Sequence, residues 1–160
     1  MVIQSLSSMD KDSILKLEIE SAPEAPFYSR YSNDVKALDY IFDNPNKCEA
    51  FGIYENERLI AWGAYRTQWN TDNSQEEGIY EISSVVVDKL KRRQGIGKRM
   101  LNHMIEQIKI NKDFKSIYLT VYPRNIPALI MYLQIGFFIY AYKKDVYGPG
   151  SDRLYLRLTT

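Results

Sequence analysis

Arg92, Arg93, Gln94, Gly95, Ile96, Gly97 and Lys98 form an R-x-x-G-x-G string with a cation behind it, inside the stretch EISSVVVDKLKRRQGIGKRM from Glu81 to Met100. The chemistry open to such a string is the binding of an anion. A helix is predicted to start at Gly95–Ile96–Gly97, because apolar residues recur at helical spacing beyond it. Its start breaks two local rules. No Ser, Thr, Asp or Asn stands at the N-cap, and Lys98 and Arg99 put positive charge where the helix dipole disfavours it by roughly a few tenths of a kcal/mol each. An anion from outside repairs both faults. Two glycines let it approach the backbone, the orphan N–H groups point at it, and the arginines close around it. The stretch reads as a site for a phosphorylated ligand; a solvated basic turn is the plainer reading of the same residues.

Spacing excludes two other phosphate loops. A dinucleotide fingerprint needs a third glycine where Met100 stands, and no G-x-x-x-x-G-K-[ST] string occurs. A second group lies downstream in NIPALIMYLQIGF, Asn125 to Phe137. Asn125 is a good N-cap, and Pro127 is tolerated in a first turn. Ala128, Tyr132 and Gly136 lie at i, i+4 and i+8 and share one helix face. A small residue at Ala128 lets a ligand run along that face to the Tyr132 hydroxyl. On position alone, a core tyrosine with its hydroxyl at the surface is the better fit. His103, the only histidine, and Cys48, the only cysteine, lack partners at ligand or nucleophile spacing, and no metal site is suggested.

These residues need elements to hold them. Val2 to Ser7 reads as a strand, with Ser7 or Ser8 capping a helix whose stripe is Ile14, Leu15, Leu17 and Ile19. Ser21 to Asn33 is broken by Pro23 and Pro26. A second helix carries Val35, Leu38, Ile41 and Phe42 and ends at Asn44–Pro45. Cys48 to Tyr54 and Arg58 to Thr67 are strands joined as a hairpin at Glu55–Asn56–Glu57. After a polar loop, Gln68 to Gly78, come the central strand and the helix that buries Ile96, Met100, Leu101, Met104, Ile105 and Ile108. Ser116 to Val121 is a strand, Asn125 to Gln134 a helix closed by Gly136, and Phe137 to Val146 and Leu154 to Leu158 are the last strands. The order β-α-α-β-β-β-α-β-α-β-β is a mixed α+β fold, a central sheet flanked by helices.

At 160 residues the chain is expected to be one domain. A net charge of +1 argues against bulk nucleic-acid binding, so the run from Lys89 to Arg99 is a focused patch. The single cysteine fits a reducing compartment, and neither a signal core nor a membrane-length apolar run is present. The expectation is a cytoplasmic protein with no membrane association. Thirteen tyrosines are many for this length, and some are expected at a binding surface.

The R-x-x-G-x-G string after an apolar strand resembles the pyrophosphate loop of the GNAT N-acetyltransferase superfamily. The segment from Asn125 to Phe137 is similar to that family's N-x-x-A-x-x-x-Y-x-x-x-G-F segment, and the element order agrees along nearly the whole chain. The resemblance implies a mostly antiparallel acyltransferase fold and acetyl-CoA as co-substrate. It implies that the strand through Val85, Val86 and Val87 splays from the next one, freeing backbone groups for the pantetheine arm and for the thioester carbonyl. The pyrophosphate would rest on Gly95 to Lys98 with help from Arg92 and Arg93, and Asn125 and Ala128 would border the cofactor. Lys89 stands where proline is common and Arg93 where glycine is common; neither change removes a backbone donor.

The reaction so implied is direct acetyl transfer to a primary amine, which is mostly protonated at neutral pH with a reference pKa of about 8 to 10.4. Tyr132 is then the acid that returns a proton to the thiolate, and Glu81 the base, directly or through water. Glu81 as a plain carboxylate at a strand end is the alternative. The family's acceptor elements correspond to Ser21–Asn33, with Phe27, Tyr28 and Tyr31, and to the loop carrying Tyr147. These aromatics suit a polyamine, an amino acid, a drug-like amine or a peptide N-terminus. Two rival readings are a CoA-binding module without catalysis, serving as a sensor or partner domain, and a nucleotide or nucleic-acid binder using the basic turn. A homodimer through the last strands is a further expectation.

Overall fold

A computed structural model describes residues 1–21, 30–67, 78–110 and 114–159, with 30–35 by backbone only. Its elements are β1 (Ile3–Ser5), α1 (Lys11–Ser21), α2 (Arg30–Asp43), β2 (Cys48–Glu55), β3 (Arg58–Thr67), β4 (Ile79–Val87), α3 (Ile96–Lys109), β5 (Ser116–Val121), α4 (Ile126–Ile135), β6 (Phe138–Lys143) and β7 (Arg153–Thr159). The strands form one sheet in the order β1-β2-β3-β4-β5-β7-β6. Every neighbouring pair is antiparallel except β4–β5, whose parallel pairing α3 makes possible as a crossover. The expected mixed α+β fold is what forms.

Local chemistry explains most boundaries. Asn56 and Glu57 take positive φ, 49° and 63°, the turn whose twist matches two flanking antiparallel strands. Ser7 accepts from the Met9 amide while Asp10 accepts from the Ser7 amide, so a capping box starts the 3-10 turn that leads into α1. Two boundaries differ from the sequence expectation by more than two residues. α2 begins at Arg30 rather than after Asn33, since no breaker follows Pro26. β6 stops at Lys143 rather than Val146, because Asp145 turns to φ 52° and diverts the chain.

The helices divide the sheet between them. On one face α3 and α4 bury Met100, Leu101, Met104 and Ile108 against Ile53, Ile117, Leu119 and Leu156. Each such side chain stabilises the fold by about 1.5–3 kcal/mol. α3 approaches β3 closely at Gly63, where a Cβ would sit 2.9 Å from the Met104 methyl carbon. On the other face α1 and α2 place Ile14, Leu17 and Leu38 over Trp62 and Ala64. That second core ends at β4. No helix among the described residues covers β5, β7 and β6 there, so within the described residues half of that face is open.

Candidate active site

β4 and β5 pair only from Ile79–Ser116 to Glu81–Tyr118, then diverge into a V. A bulge at Ser83 sits just past the closed end, between the pairs Tyr65–Ile82 and Ala64–Ser84. The Asp88 amide donates to Ile60 O at 2.8 Å, so bonded pairs with β3 fall at alternate positions, on Val86–Trp62 and Ser84–Ala64. The N–H and C=O groups of Val85 and Val87 therefore face the V, where no strand meets them. Val86 does not join them. Its main chain pairs with β3 and its side chain packs in the α1–α2 core, so of the three valines expected at the cofactor only two turn their main-chain groups to the V.

The turn after β4 leaves main-chain donors uncapped. Asp88, buried, accepts from the Leu90 amide at 2.8 Å and fixes the exit. Arg93 and Gly95 both take positive φ, 63° and 77°. α3 starts after Gly95 with no side-chain cap, leaving the amides of Ile96, Gly97 and Lys98 without helical partners. Among the described residues, its chain neighbours aside, nothing lies within 4 Å of where a Cβ on Gly95 would stand. The turn is an open cradle of N–H groups flanked by the exposed Arg93, Gln94 and Lys98. Arg92 points elsewhere: its Nη2 donates to Ser21 O at the end of α1 and its Nε to Val87 O at 3.4 Å.

Arg93 is a side chain in a conformation glycine prefers, at a cost of about 1–2 kcal/mol. Arg93→Gly is expected to hold or raise the melting temperature, and Arg93→Val to lower it by several degrees; thermal unfolding of the two variants checks this.

α4 brings up the second group. Asn125 caps it, Oδ1 accepting from the Ala128 amide at 3.4 Å, and Gly136 ends it at φ 112°. Met131 Sδ lies 3.6 Å from the Cβ position of Gly97, so α4 leans on the first turn of α3. Tyr132 is buried, with its ring edge-on to Phe137 at 6.1 Å, and burial pushes its phenol up to about 12. Ala128 is half-buried on the same helix.

Across the closed end of the V runs a row that strand register creates: Arg66, Glu81, Tyr118, Arg157 and Phe138, one from each of five strands. Arg66 Nε donates to Glu81 Oε2 at 2.5 Å, and Glu81 is 17% exposed. The Tyr118 hydroxyl also bonds Glu81; burial first, then the Glu81 charge, raise its pKa. Sequence reasoning missed Arg66 and Tyr118. Their only signal is period-2 alternation within strands, which says nothing of the partner strand.

The acceptor residues expected from sequence are partly visible. Phe27 and Tyr28 lie outside the described residues, as does the side chain of Tyr31, whose backbone opens α2. Tyr147 is 54% exposed in a loop tied by its own bonds: its amide donates to Ser151 Oγ at 2.6 Å and the Gly150 amide to Asp145 Oδ1 at 2.5 Å. Cys48 is buried and burial raises its thiol pKa, which suits packing rather than nucleophilic attack. His103 sits edge-on to Phe51 at 4.8 Å.

The family model described as the Acetyltransferase (GNAT) family matches residues 12–137. The chain belongs to the GNAT family. It is an N-acetyltransferase. GNAT acetyltransferases use acetyl-CoA as co-substrate. Among curated relatives, the probable spermine N(1)-acetyltransferase of Bacillus subtilis subsp. natto is 28% identical over 106 residues, 64% of this chain and 70% of that one. Among solved GNAT folds, a probable acetyltransferase from Staphylococcus epidermidis aligns with a TM-score of 0.80 at 19% identity, covering 99% of this chain and 98% of that one. The ribosomal-protein-S18-alanine N-acetyltransferase of Escherichia coli aligns with a TM-score of 0.78 at 18% identity, over 99% and 92%. No helix among the described residues of this GNAT chain is long and apolar enough to cross a membrane.

Proposed function

We propose that this chain, acting as one domain, transfers acetyl from acetyl-CoA to the nitrogen of a primary amine. The observation that carries the proposal is the bare edge of β4 at Val85 and Val87, opening beside the uncapped start of α3. The residues fit the co-substrate: no strand among the described residues pairs with that edge, and beyond its chain neighbours none of those residues comes within 4 Å of the Cβ position of Gly95. Acetyl-CoA supplies the activated thioester and a pyrophosphate.

The main chain of Val85 and Val87 binds the pantetheine amides as a missing strand would. Val85, nearer the closed end and Glu81, donates its N–H to the thioester oxygen as negative charge builds there. The amides of Gly95 to Lys98 hold the pyrophosphate, with Arg93, Gln94 and Lys98 around it and Asn125 and Ala128 along its flank. Arg92 acts at one remove, pinning the turn to the end of α1. As the amine nitrogen bonds the acetyl carbon and the C–S bond breaks, Tyr132 gives its proton to the sulfur. Glu81 takes the proton of the ammonium before attack, directly or through a water, with Arg66 and Tyr118 fixing its carboxylate; the second N–H proton, shed as the amide forms, restores the Tyr132 phenol through solvent.

The acceptor approaches over the open half of the sheet, on the side that carries Tyr147. A relative named for spermine supports a primary aliphatic amine as its reacting end. A single, buried cysteine fits work in a reducing cytoplasm. Calorimetric titration with acetyl-CoA, CoA and ATP, followed by thiol release with a panel of amines, tests the proposal. Micromolar binding of both CoA forms, no ATP binding and amine-dependent thiol release are expected. Absence of acetyl-CoA binding overturns it.

A further inference from the structure

The open half-face has a one-sided charge. On β7, Leu154, Leu156 and Leu158 turn into the α3–α4 core, so Arg153, Tyr155 and Arg157 turn to the open face, and Lys143 pairs with Arg153 from β6. Arg157 Nη2 donates to Ser116 Oγ at 3.0 Å. Arg153 lies between two rings, its guanidinium carbon 5.2 Å from the centroids of both Tyr122 and Tyr147. Lys143 Nζ lies 4.9 Å from the Tyr155 centroid. Among the described residues no carboxylate pairs with any of these three cations. Glu81 and Asp152 are engaged elsewhere. Glu81 is held by Arg66, and Asp152 accepts from the Asp145 amide at 3.0 Å and from the Tyr142 hydroxyl.

Two of the cations are arginines held in place, one by a hydroxyl and one by stacked rings, and a fixed guanidinium suits the planar two-oxygen face of a carboxylate. Arg157 stands in the same cross-strand row as Glu81, two strands along, which is about 10 Å between backbones. A molecule whose amine reaches Glu81 therefore lays its next atoms towards Arg157. A polycation placed there meets like charges on a partly desolvated surface, which disfavours it.

We propose that the acceptor is a small amine that also carries a carboxylate, the amine directed to Glu81 and the carboxylate to Arg157, with Arg153 beyond it. This rests on the acetyl transfer proposed above and narrows its substrate. Lysine and 1,5-diaminopentane test it, because they differ only by the α-carboxylate; ornithine and 1,4-diaminobutane form a second such pair. The amino acid of each pair is expected to have kcat/KM at least about tenfold above its diamine, the scale of one charge-assisted hydrogen bond. Arg157→Gln is expected to cut that ratio about tenfold through a higher KM for the amino acid, and Arg157→Lys to keep part of it. Acetyl-CoA titration of each variant reports an intact fold.

Equal or better turnover of the diamines overturns the carboxylate proposal and leaves the acetyltransferase reading standing. So does an amino-acid preference that Arg157→Gln leaves unchanged. No turnover of any of the four, with acetyl-CoA still bound, also overturns it; loss of acetyl-CoA binding removes both readings together.

Discussion

Tyr132→Phe is expected to lower kcat by about 10²–10³-fold while the Kd for acetyl-CoA stays within about twofold. The ring is buried and packs edge-on to Phe137, and phenylalanine preserves that packing while removing only the proton donor. Burial raises the phenol from its ordinary value near 10 to about 12, so it keeps its proton throughout the working range of an amine substrate. The departing thiolate has a reference pKa of about 8.5, so taking a proton from a phenol raised to about 12 is uphill, and C–S bond cleavage in the assembled site has to drive it. The same shift has a signed effect on stability. The folded state favours the neutral phenol, so its contribution is fully present below about pH 10 and is lost as pH rises through about 12. Steady-state kinetics and calorimetry on the variant decide the matter. A kcat within threefold of the parent protein would make Tyr132 a packing residue and leave the thiolate without a donor on α4.

Val85→Pro is expected to reduce kcat/KM by about 10²–10³-fold with the fold retained, the scale of a lost oxyanion donor. Proline removes one N–H, and at Val85 that N–H serves the V rather than the ladder to β3. Proline is tolerated on such a free edge close to a bulge. Val86→Pro, one residue on, is expected to do the reverse. It deletes a donor from the bonded pair with Trp62 and costs about 1–3 kcal/mol of stability, visible as a lower melting temperature. Thermal unfolding and kinetics on the pair read this out. Similar losses of stability in both variants would mean that the alternation along β4 is misassigned.

The parts of the molecule fixed by neighbours in sequence are legible in the sequence. Asn56 and Glu57 announce their turn, Asn125 and Gly136 bracket α4, and the missing cap before Ile96 exposes the cradle. What depends on partners far along the chain is not. Arg66, Glu81, Tyr118 and Arg157 come from four segments, and only strand register sets them side by side. Arg92 reads as a ligand to the pyrophosphate because it stands in the string, yet its guanidinium is drawn to the carbonyl end of α1, where helix dipole and geometry both favour a cation. Val86 was indistinguishable from its neighbours until the bulge at Ser83 assigned the edges.

That bulge makes the length of β4 a matter of odd and even. Before it, Tyr80 addresses β5 and Glu81 addresses β3; after it, Val85 and Val87 address the V and Val86 addresses β3. One residue has exchanged the two parities. Deleting Ser83, or inserting a single residue between Ser83 and Val87, would swap the edges again and turn the groups proposed to bind pantetheine into the sheet. Inserting two would not. Descendants of this chain are therefore free to lengthen this strand in pairs and barred from lengthening it by one, a counting rule that acts on the gene without any residue type being specified.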